Sequence, residues 1–525
     1  MQPRLRRMLR KRPRQKIAVP GRNCWRIDHA EQSGMLIDGH DYYRAFYHAA
    51  ASAERYILIS GWQFDSTVPL VRGADAEAAE GPVEFLQFLN RLCELKPELR
   101  IYILAWDYSM LYSLDREWFQ DLTFNWNTHE RLRFCYDRAD IFDASHHQKL
   151  VVIDGVMSFV GGIDLCASRW DERDHRPDNT MRRDSNGAGY RTFHDMQAYQ
   201  CGPVAKHLAE YFQQRWRAVC GAPLELPEPQ PRACRLPFTP TIELGAAEVA
   251  IARTDINRGN GAKPNLEIRQ LLIDAVDAAE RLIYIENQYC SSEALSKALI
   301  KRMKQRRRSR LEIVLIVAKD AEAFLEQLSI GIAQSRIIRR LRKTAAEHGH
   351  AFGIYYPAST GADGTEVPTY IHSKLVLIDD RFLSVGSANM NNRSMAYDTE
   401  LNVAWDAPSG SPLSEAIRRL RIDLLAEHTG LAGAERDPLS KIEGLVDCLN
   451  TMANSGRERL RHHPARSITE EYQWLTSLLP DGLPFDSEIA REARKERKRA
   501  AGKSILGKTI AYLGRLFRGW HLSPG

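Results

Sequence analysis

Two stretches of this 525-residue chain carry residue types that could perform chemistry, and both have the same spacing. The first reads His147-Gln-Lys149-Leu-Val-Val-Ile-Asp154 and continues to Gly161-Gly162-Ile-Asp164; the second reads His372-Ser-Lys374-Leu-Val-Leu-Ile-Asp379 and continues to Gly386-Ser387-Ala-Asn389. Both follow H-x-K-x4-D-x6-G-[GS]-x-[ND], and equivalent positions are 225 residues apart. A pattern this long, repeated at equal internal spacing, indicates one active site assembled from two copies.

The residue types suit chemistry at a phosphodiester. A neutral imidazole can attack phosphorus and form a covalent phosphohistidine, while a protonated one donates to the leaving alkoxide and later accepts a proton from water or an alcohol. His147 and His372 are formally equivalent candidates for these two roles. Lys149 and Lys374 would offset the charge on the phosphoryl oxygens, so no metal or other cofactor is required, and no metal-ligand cluster is expected beside them.

Each imidazole needs a carboxylate at its second ring nitrogen to fix its tautomer. The candidates are Asp195, in Phe193-His194-Asp195, and Glu400, in Asp398-Thr399-Glu400. Each follows its own motif and precedes an alternating segment typical of a strand. We therefore assign both carboxylates an orienting role in the active site.

The end of each motif predicts a substrate-binding loop. Gly162 and Ser387 occupy equivalent positions, where small residues would let the backbone approach a ligand closely. Asp164 and Asn389 are also equivalent and can reach the same space. We expect these four residues to bind the substrate.

Apolar residues behind each His-x-Lys pair predict the elements that hold it. Leu150–Ile153 and Leu375–Ile378 have the composition of buried strands, on which a histidine and a lysine two positions apart project to one face. Asp154 and Asp379 end these runs at turn signals and precede a return strand. The two aspartates are therefore assigned to the turn of a hairpin, as structural members of the motif.

The duplication extends beyond the motifs. The segment Ala53–Phe64 resembles Ala279–Tyr289, and the strand-like Leu99–Trp106 has a counterpart in Leu311–Val317. Alternating strands and helices predict an α/β protein with two lobes related by a pseudo-two-fold axis. The predicted divisions are a basic tail (1–20), a first lobe (21–220), a Pro-rich joint (221–240), a second lobe (241–430) and a helical basic tail (431–525).

Composition is that of an ordinary globular protein, with 44% hydrophobic and 27% charged residues. No apolar run is long enough for a transmembrane helix, and the Arg-rich start lacks the apolar core of a secretory signal. The nine cysteines have no metal-binding spacing and are expected to be free thiols in a reducing cytosol. A cytoplasmic protein is therefore expected, with peripheral attachment to the inner face of the membrane as an option.

Basic residues concentrate in the tails. Residues 4–16 carry eight basic and no acidic side chains, and residues 491–518 carry ten basic and two acidic ones, so the body between them is acidic. An acidic body argues against a nucleic-acid partner. The segment Ile505–Trp520 has the pattern of a basic amphipathic helix suited to an anionic membrane surface. Docking of its apolar face on the body is an equally good alternative.

The paired motif resembles the signature of the phospholipase D superfamily, over about residues 20–430. The flanks resemble its lipid-hydrolysing branch: Gly161-Gly-Ile-Asp-Leu-Cys-Ala-Ser-Arg169-Trp170-Asp171 followed by His175, Phe193-His194-Asp195, Ile283-Tyr-Ile-Glu286-Asn287-Gln288, and Asn392-Arg393-Ser394-Met395. The resemblance implies two α/β/α lobes with mixed sheets and the active site between them. It also implies metal-independent catalysis, with His147 as nucleophile and His372 as general acid and base.

The leading hypothesis is a phospholipase D that hydrolyses glycerophospholipids to phosphatidic acid and can transfer the phosphatidyl group to an alcohol. A phosphatidyltransferase of the cardiolipin-synthase type is the first alternative, although such proteins more often carry N-terminal membrane segments. A nuclease of the same superfamily and a non-enzymatic membrane scaffold are further alternatives. The chain is expected to act as a monomer that contains an internal pseudo-dimer.

Overall fold

The computed structural model describes residues 16–107, 120–126, 128–137, 144–227, 234–255, 264–320 and 324–464. The basic segment 491–518, the predicted helix Ile505–Trp520 and all of the N-terminal basic segment except Lys16 lie outside these residues. Among the described helices, none has the length and apolar character needed to cross a bilayer.

Helices and strands alternate along both halves of the described chain, as predicted. The helices are α1 (Asp38–Ser52), α2 (Ala74–Glu77), α3 (Phe85–Leu95), α4 (Gln120–Trp126), α5 (Pro203–Cys220), α6 (Glu267–Ala278), α7 (Glu293–Met303), α8 (Phe324–Glu347), α9 (Asn392–Ala396), α10 (Pro412–Thr429) and α11 (Leu445–Ser455), with a 3-10 helix at Gly433–Ser440.

The strands of the first half are β1 (Arg26–Ala30), β2 (Gln32–Ile37), β3 (Tyr56–Gly61), β4 (Arg100–Trp106), β5 (Leu132–Asp137), β6 (Leu150–Ile153), β7 (Met157–Gly161), β8 (Phe193–His194) and β9 (Met196–Cys201). Those that follow are β10 (Ile242–Glu243), β11 (Ala247–Asp255), β12 (Asn265–Leu266), β13 (Leu282–Asn287), β14 (Glu312–Val317), β15 (Ala351–Thr360), β16 (Glu366–Pro368), β17 (Tyr370–Ile371), β18 (Lys374–Ile378), β19 (Phe382–Gly386), β20 (Glu400–Asp406) and β21 (Leu460–His462).

Two large sheets repeat one strand order. The first runs β10-β2-β9-β7-β6-β3-β4-β5, and the second runs β1-β11-β20-β19-β18-β13-β14-β15-β16, with β12 beside β11 and β21 beside β15. In each sheet the three strands β3-β4-β5 or β13-β14-β15 are parallel, and the motif hairpin beside them is antiparallel. The predicted duplicated α/β fold with mixed sheets is confirmed.

Helices cover the sheets in layers. Along β3, Ile57 and Ile59 face an outer core with α1 and α3, while Tyr56 and Leu58 face a central core. On the second sheet an equivalent outer core contains side chains of α6, α7 and α8. The central core joins the inner faces of both sheets with α5, α10 and α11. This shared core holds the two motif hairpins at a fixed distance from each other.

Short strands at the sheet edges do not follow the predicted lobe boundaries. β1 pairs with β11 in the second sheet, and β10 pairs with β2 in the first. β21, within the predicted C-terminal tail, pairs with β15. Hydrogen bonding at an open sheet edge depends on which chain segment reaches it, and the alternation of apolar residues does not encode that choice.

Cys201 and Cys234 form a disulfide, so the expectation that all cysteines are free thiols is wrong for this pair. Cys201 ends β9, and Cys234 lies in the Pro-rich joint, which folds back and brings their Cα atoms to 6.0 Å. Proximity of this kind results from the chain path, which the spacing of cysteines in the sequence does not reveal. The other seven cysteines are free.

Candidate active site

The motif aspartates hold the hairpins in place. Asp154 accepts three hydrogen bonds from backbone N–H groups at the start of β3, each at 2.8 Å. Asp379 accepts three from the start of β13, at 2.7–2.8 Å. Both residues have positive φ angles, 51° and 55°, as a tight turn requires. Their contacts are therefore those of structural residues of the turn.

The backbone leading to each histidine pairs with the opposite half of the chain. The N–H of His147 donates to the carbonyl of Thr399 at 2.9 Å, and the N–H of His372 donates to the carbonyl of His194 at 2.8 Å. β17, just before His372, pairs in parallel with β8. Thr399 and His194 each directly precede one of the predicted orienting carboxylates, so these bonds bring each carboxylate to the histidine of the other half.

Each imidazole meets the carboxylate of the opposite motif. Asp195 Oδ2 lies 2.6 Å from His372 Nδ1, and Glu400 Oε2 lies 3.2 Å from His147 Nδ1. Asp195 and Glu400 were expected beside the imidazoles, but the spacing of the residues did not indicate that the partners are exchanged. This exchange joins the four residues from both halves into one site.

The contacts of His147 define its tautomer. Its Nδ1 lies 3.0 Å from the backbone carbonyl oxygen of Ser387, which can only accept a hydrogen bond. Nδ1 must therefore carry the hydrogen, shared between that carbonyl and Glu400. The lone pair of the neutral ring is left on Nε2, where a nucleophile requires it.

The two lysines are buried beside the imidazoles. Lys149 Nζ lies 3.0 Å from Asp164 Oδ2 and donates to the carbonyl of His147 at 3.0 Å. Lys374 Nζ lies 3.0 Å from His372 Nδ1 and donates to the carbonyl of His372. Both residues are only 2% exposed, which places two ammonium groups in a region of weak solvent screening.

Burial and the lysines set the protonation of the site. Burial first, and then the nearby lysines, lower the pKa of His147 and of His372 well below the usual 6.5. His147 itself also lowers the pKa of His372, so the two rings interact electrostatically. Burial raises the pKa of Asp195 to about 7 and of Glu400 to about 8, and it lowers the pKa of Lys374 to about 8. Neutral imidazoles are thus favoured at neutral pH.

Two predicted substrate-binding residues have other contacts in the structure. A Cβ atom on Gly162 would lie 2.7 Å from Asp195 Cγ, so the glycine makes room for that carboxylate. At the equivalent position, the hydroxyl of Ser387 donates to Glu400. At both positions, where we expected the substrate to approach the backbone, the structure instead places an orienting carboxylate. Asp195 lies against Gly162, and Glu400 lies against Ser387.

The equivalent residues Asp164 and Asn389 differ in their contacts. Asp164 pairs with Lys149 and accepts from the backbone N–H of Trp62 at 2.9 Å, so its carboxylate positions the lysine. Asn389 is 6% exposed, and its Oδ1 has no hydrogen-bond partner among the described residues. Asn389 is therefore the member of this pair with capacity left for a ligand.

Two further residues beside the histidines were not predicted as site residues. The Arg169 guanidinium lies 5.1 Å from the ring centroid of Phe193 and contributes to the lowered pKa of His372. The ring of Trp62 lies 6.3 Å from that of His147, in an edge-on arrangement. Arg169 lies in a flank that carries the family resemblance, and Trp62 lies in a duplicated segment, so both had a detectable signal.

A buried cluster behind the site also went unpredicted. Asp38, His175, His194 and Glu427 bring their side-chain oxygen and nitrogen atoms within 4.8 Å of one another. His194 directly precedes Asp195, so this group of four acidic and imidazole side chains adjoins the motif residues, where no metal-ligand cluster was expected. Asp38 and Glu427 lie in helices far apart in sequence, with no motif around them to indicate a shared site.

Comparisons with known proteins find relatives of both regions that contain the motifs. A family model described as "Phospholipase D" matches residues 49–232, and one described as "Cardiolipin synthase, PLD-like domain" matches residues 272–420. The chain is 23% identical to phospholipase D alpha 1 of Zea mays, over 91% of this chain and 74% of that protein. It is also 23% identical to phospholipase D alpha 2 of Oryza sativa subsp. japonica, over 73% of this chain and 63% of that protein.

Solved structures of similar proteins include phosphatidylserine synthase from Haemophilus influenzae Rd KW20. It aligns with a TM-score of 0.48 and 14% identity over 82% of this chain and 93% of its own. Nuc from Salmonella typhimurium, a phospholipase D family member, aligns with a TM-score of 0.23 and 17% identity over 34% of this chain and 94% of its own.

The two family models fall on the two halves of the duplication. Each contains one His-x-Lys pair, at His147 in the first and at His372 in the second. The chain therefore belongs to the phospholipase D superfamily of enzymes that cleave phosphodiesters or transfer phosphatidyl groups.

Proposed function

We propose that the chain is a phospholipase D that hydrolyses the terminal phosphodiester of glycerophospholipids such as phosphatidylcholine or phosphatidylethanolamine. The products are phosphatidic acid and the free head-group alcohol. The observation that carries this proposal is the exchanged pairing of His147 with Glu400 and of His372 with Asp195, beside two buried lysines. The named plant relatives support a phospholipid as the substrate.

The first chemical step uses the asymmetry between the two histidines. His147 Nε2 attacks phosphorus, the bond from phosphorus to the head-group oxygen breaks, and His372 gives that oxygen a proton. The hydrogen on His147 Nδ1, held by the Ser387 carbonyl, supports this assignment. The proton is carried by protonated His372, a form that the short contact with the Asp195 carboxylate and a bound anionic diester both stabilise.

The second step reverses these roles. His372 takes a proton from water, the hydroxide oxygen bonds to phosphorus, and the bond to His147 breaks. A primary alcohol that enters in place of water gives a phosphatidylalcohol. Lys149 and Lys374 stabilise the phosphoryl oxygens in both steps. Asn389 is the additional candidate to bind them, through its Nδ2 donor, since an amide oxygen can only accept.

The direct test is an incubation with phosphatidylcholine in the presence and absence of a primary alcohol. We expect phosphatidic acid without the alcohol and a phosphatidylalcohol with it. His147→Ala and His372→Ala should each reduce both products by at least about 10³-fold, the scale typical of removing a nucleophile or its proton-transfer partner. Folded wild-type protein that yields neither product would contradict the proposal.

A phosphatidyltransferase is the second candidate, favoured by the match of the second half to a family described as cardiolipin synthase. It would use the same intermediate but pass the phosphatidyl group to a lipid alcohol. Phosphatidylglycerol supplied as the only lipid separates the two functions. Formation of cardiolipin faster than phosphatidic acid would favour the transferase.

We further propose that the basic tails bring the protein to an anionic membrane surface and that one chain contains the complete site. No nucleic-acid substrate is expected, because the body between the tails is acidic. Plasmid DNA incubated with the protein should remain intact. Salt-sensitive degradation of the plasmid that also requires His147 would instead support the nuclease alternative.

A further inference from the structure

We infer that Cys135 and Cys220 are an oxidative modification site, where a reversible disulfide forms and fastens α5 to β5. Cys135 lies in β5, and Cys220 is the last residue of α5. Their sulfur atoms lie 2.7 Å apart, although the residues are separated by 85 positions in the sequence. The pair is distinct from the disulfide between Cys201 and Cys234. The inference does not depend on which phosphodiester the enzyme cleaves.

The regular geometry of the two elements brings the thiols together. Alternate residues of β5 face opposite sides of the sheet, so Phe134 packs in the outer core while Cys135 faces the central core, which Cys220 also contacts. Asp137, two positions after Cys135, projects toward α5 as well, and its Oδ2 lies 2.6 Å from Arg215 Nη2. This ion pair is a second contact between β5 and α5, and it holds the two thiols opposite each other.

The distance between the sulfur atoms suits bond formation. A disulfide bond measures about 2.05 Å, so the sulfur atoms need to approach each other by less than about 1 Å. Small rotations of the two side chains achieve this, and neither β5 nor α5 has to move as a unit. Both thiols are also partly exposed, whereas four of the other five free cysteines are buried. A small oxidant can therefore reach this pair.

The two thiols differ in how readily they ionise. The S–H of Cys220 donates a hydrogen bond to the sulfur of Cys135, and this bond stabilises a thiolate on Cys135. Burial, and then the hydrogen bond with Cys135, raise the pKa of Cys220 above its usual value. Cys135 is therefore the attacking thiolate, and Cys220 is the thiol that completes the exchange.

The oxidant is a low-molecular-weight disulfide such as glutathione disulfide. The Cys135 thiolate bonds to one glutathione sulfur, the bond between the two glutathione sulfurs breaks, and the released thiolate takes the proton of Cys220. The Cys220 sulfur then bonds to that of Cys135 and displaces the second glutathione, which takes up the proton that Cys135 lost. The protein loses two electrons and two protons, and glutathione disulfide gains them. Excess thiol reverses the reaction.

The disulfide strengthens the support of His147. His146 Nε2 lies 3.2 Å from Asp137 Oδ1, and the side chain of Gln148 accepts a hydrogen bond from Arg215. Asp137 in β5 and Arg215 in α5 therefore hold the two neighbours of His147. A covalent bond two positions from Asp137 and five from Arg215 prevents these elements from separating. The oxidised protein is the more stable form, because the bond also restricts the unfolded chain.

The test is disulfide mapping of the full chain after incubation with glutathione disulfide and alkylation of the remaining thiols. Trypsin releases Cys135 in peptide 134–138 and Cys220 in peptide 218–232, while Cys201 and Cys234 fall in other peptides. We expect mass spectrometry to find peptide 134–138 linked to peptide 218–232. After treatment with dithiothreitol, both peptides should be found separate and alkylated.

Thermal unfolding measures the effect of the bond. Dithiothreitol should lower the melting temperature of the oxidised wild-type protein by about 4 °C more than that of Cys135→Ser, which keeps the other disulfide. Cys448→Ser is the matched control. Its thiol is also partly exposed but does not belong to the pair, so this variant should respond to dithiothreitol as the wild type does.

Three results would overturn the inference. The first is wild-type protein in which both peptides are alkylated after incubation with glutathione disulfide. The second is a bond from Cys135 to glutathione, or to a cysteine other than Cys220, as the final product. The third is an equal effect of dithiothreitol on the melting temperatures of the wild type and Cys135→Ser. Should Cys135→Ser fail to fold, Cys220→Ser replaces it, and the mapping of the wild type remains decisive.

Discussion

At the scale of single residues, the duplicated motif has diverged to fit two different carboxylates. Gly162 leaves space for Asp195 close to the backbone, while Ser387 at the equivalent position donates a hydrogen bond to Glu400. Ser387 fits beside the longer side chain of Glu400, whereas there is no room for a Cβ atom at Gly162 beside Asp195. The two histidines consequently have different surroundings, consistent with the different catalytic roles that we propose for them.

The lowered pKa of Lys374 predicts how the activity depends on pH. Burial lowers the pKa of Lys374 to about 8, so this ammonium loses its proton and its charge as the pH rises through that value. The kcat of the wild-type enzyme, which reports groups in the enzyme–substrate complex, should therefore fall above about pH 8. It should persist below pH 6.5, because the lowered pKa of His147 keeps that imidazole neutral.

Lys374→Arg separates this explanation from others, since arginine stays charged. The basic limb of the profile, measured on a short-chain phosphatidylcholine, should move to higher pH whatever the absolute rate. A basic limb that stays near pH 8 in this variant would assign it to another group.

Gly162 gives a second prediction at this scale. The Cβ of Gly162→Ala would displace the Asp195 carboxylate from His372, and errors of about 1 Å in such positions lower rates by about 10²-fold. We expect a loss of kcat of this order, together with a loss of about 1–3 kcal/mol in the free energy of unfolding from the added methyl group in a filled site.

Gly189→Ala is the matched control. Its Cβ would have only ordinary contact, 4.0 Å from the carbonyl of Arg182, and its φ is not in the left-handed region. This variant should retain the wild-type kcat. Equal activity of the two variants would show that the space beside Asp195 is not needed.

At the scale of elements, the hairpins β6–β7 and β18–β19 are rigid supports for the histidines. The aspartate at each hairpin turn accepts three backbone hydrogen bonds from the start of the neighbouring strand. That strand is β3 for the first hairpin and β13 for the second. The aspartates therefore act on the fold, and their effect on chemistry is indirect.

Asp379→Ala tests this assignment. Three backbone N–H groups, one buried and two partly buried, lose a charged acceptor, and we expect the free energy of unfolding to fall by about 2–4 kcal/mol. The kcat of the protein that remains folded should change little. Chemical denaturation and activity below the transition are the two measurements.

Asp379→Asn serves as the comparison, because it keeps one acceptor oxygen and tolerates the positive φ. Its loss of stability should be smaller than that of Asp379→Ala. Full stability of Asp379→Ala, combined with loss of kcat, would contradict the structural role.

The sequence predicted the individual strands better than it predicted which strands and side chains pair with one another. β3, β4, β6 and β7 were all recognisable, because apolar runs between turn residues mark buried strands. The exchange of β1 and β10 between the sheets could not be predicted, since an edge strand with the same pattern fits either sheet. The roles of Asp195 and Glu400 were predictable from the need for a partner at Nδ1, whereas their exchange between halves is a property of the folded chain.

At the scale of the whole molecule, one site is built from both halves of a duplication. The shared central core and the backbone bonds to Thr399 and His194 fix the halves against each other. The buried cluster of Asp38, His175, His194 and Glu427 could not be predicted from the sequence for the same reason. Asp38 and Glu427 meet only because the halves pack together.

The basic residues of the C-terminal segment lead us to expect binding of the full chain to anionic lipid surfaces. Replacement of Arg494, Lys495, Arg497 and Lys498 by glutamine should weaken binding to vesicles that contain phosphatidylserine, because each basic residue near such a surface contributes about 1 kcal/mol. The kcat on a soluble short-chain substrate should not change.

Vesicle co-sedimentation at two salt concentrations checks this prediction, with neutral phosphatidylcholine vesicles as the control. The wild-type chain should lose affinity for anionic vesicles as salt rises, and the variant should lose less. Equal binding of both proteins to anionic vesicles would exclude a role for this segment in attachment.

The central claim is that His147 attacks phosphorus while His372, oriented by Asp195 of the other half, moves the protons. A phosphatidyl p-nitrophenol substrate isolates these roles, because p-nitrophenolate leaves without a proton donor. Mass spectrometry of quenched His372→Ala should find a phosphatidyl adduct on His147, together with a burst of about one p-nitrophenolate per chain, because water then lacks its base. His147→Ala should show neither. An adduct on another residue, or steady turnover by His147→Ala, would contradict the account.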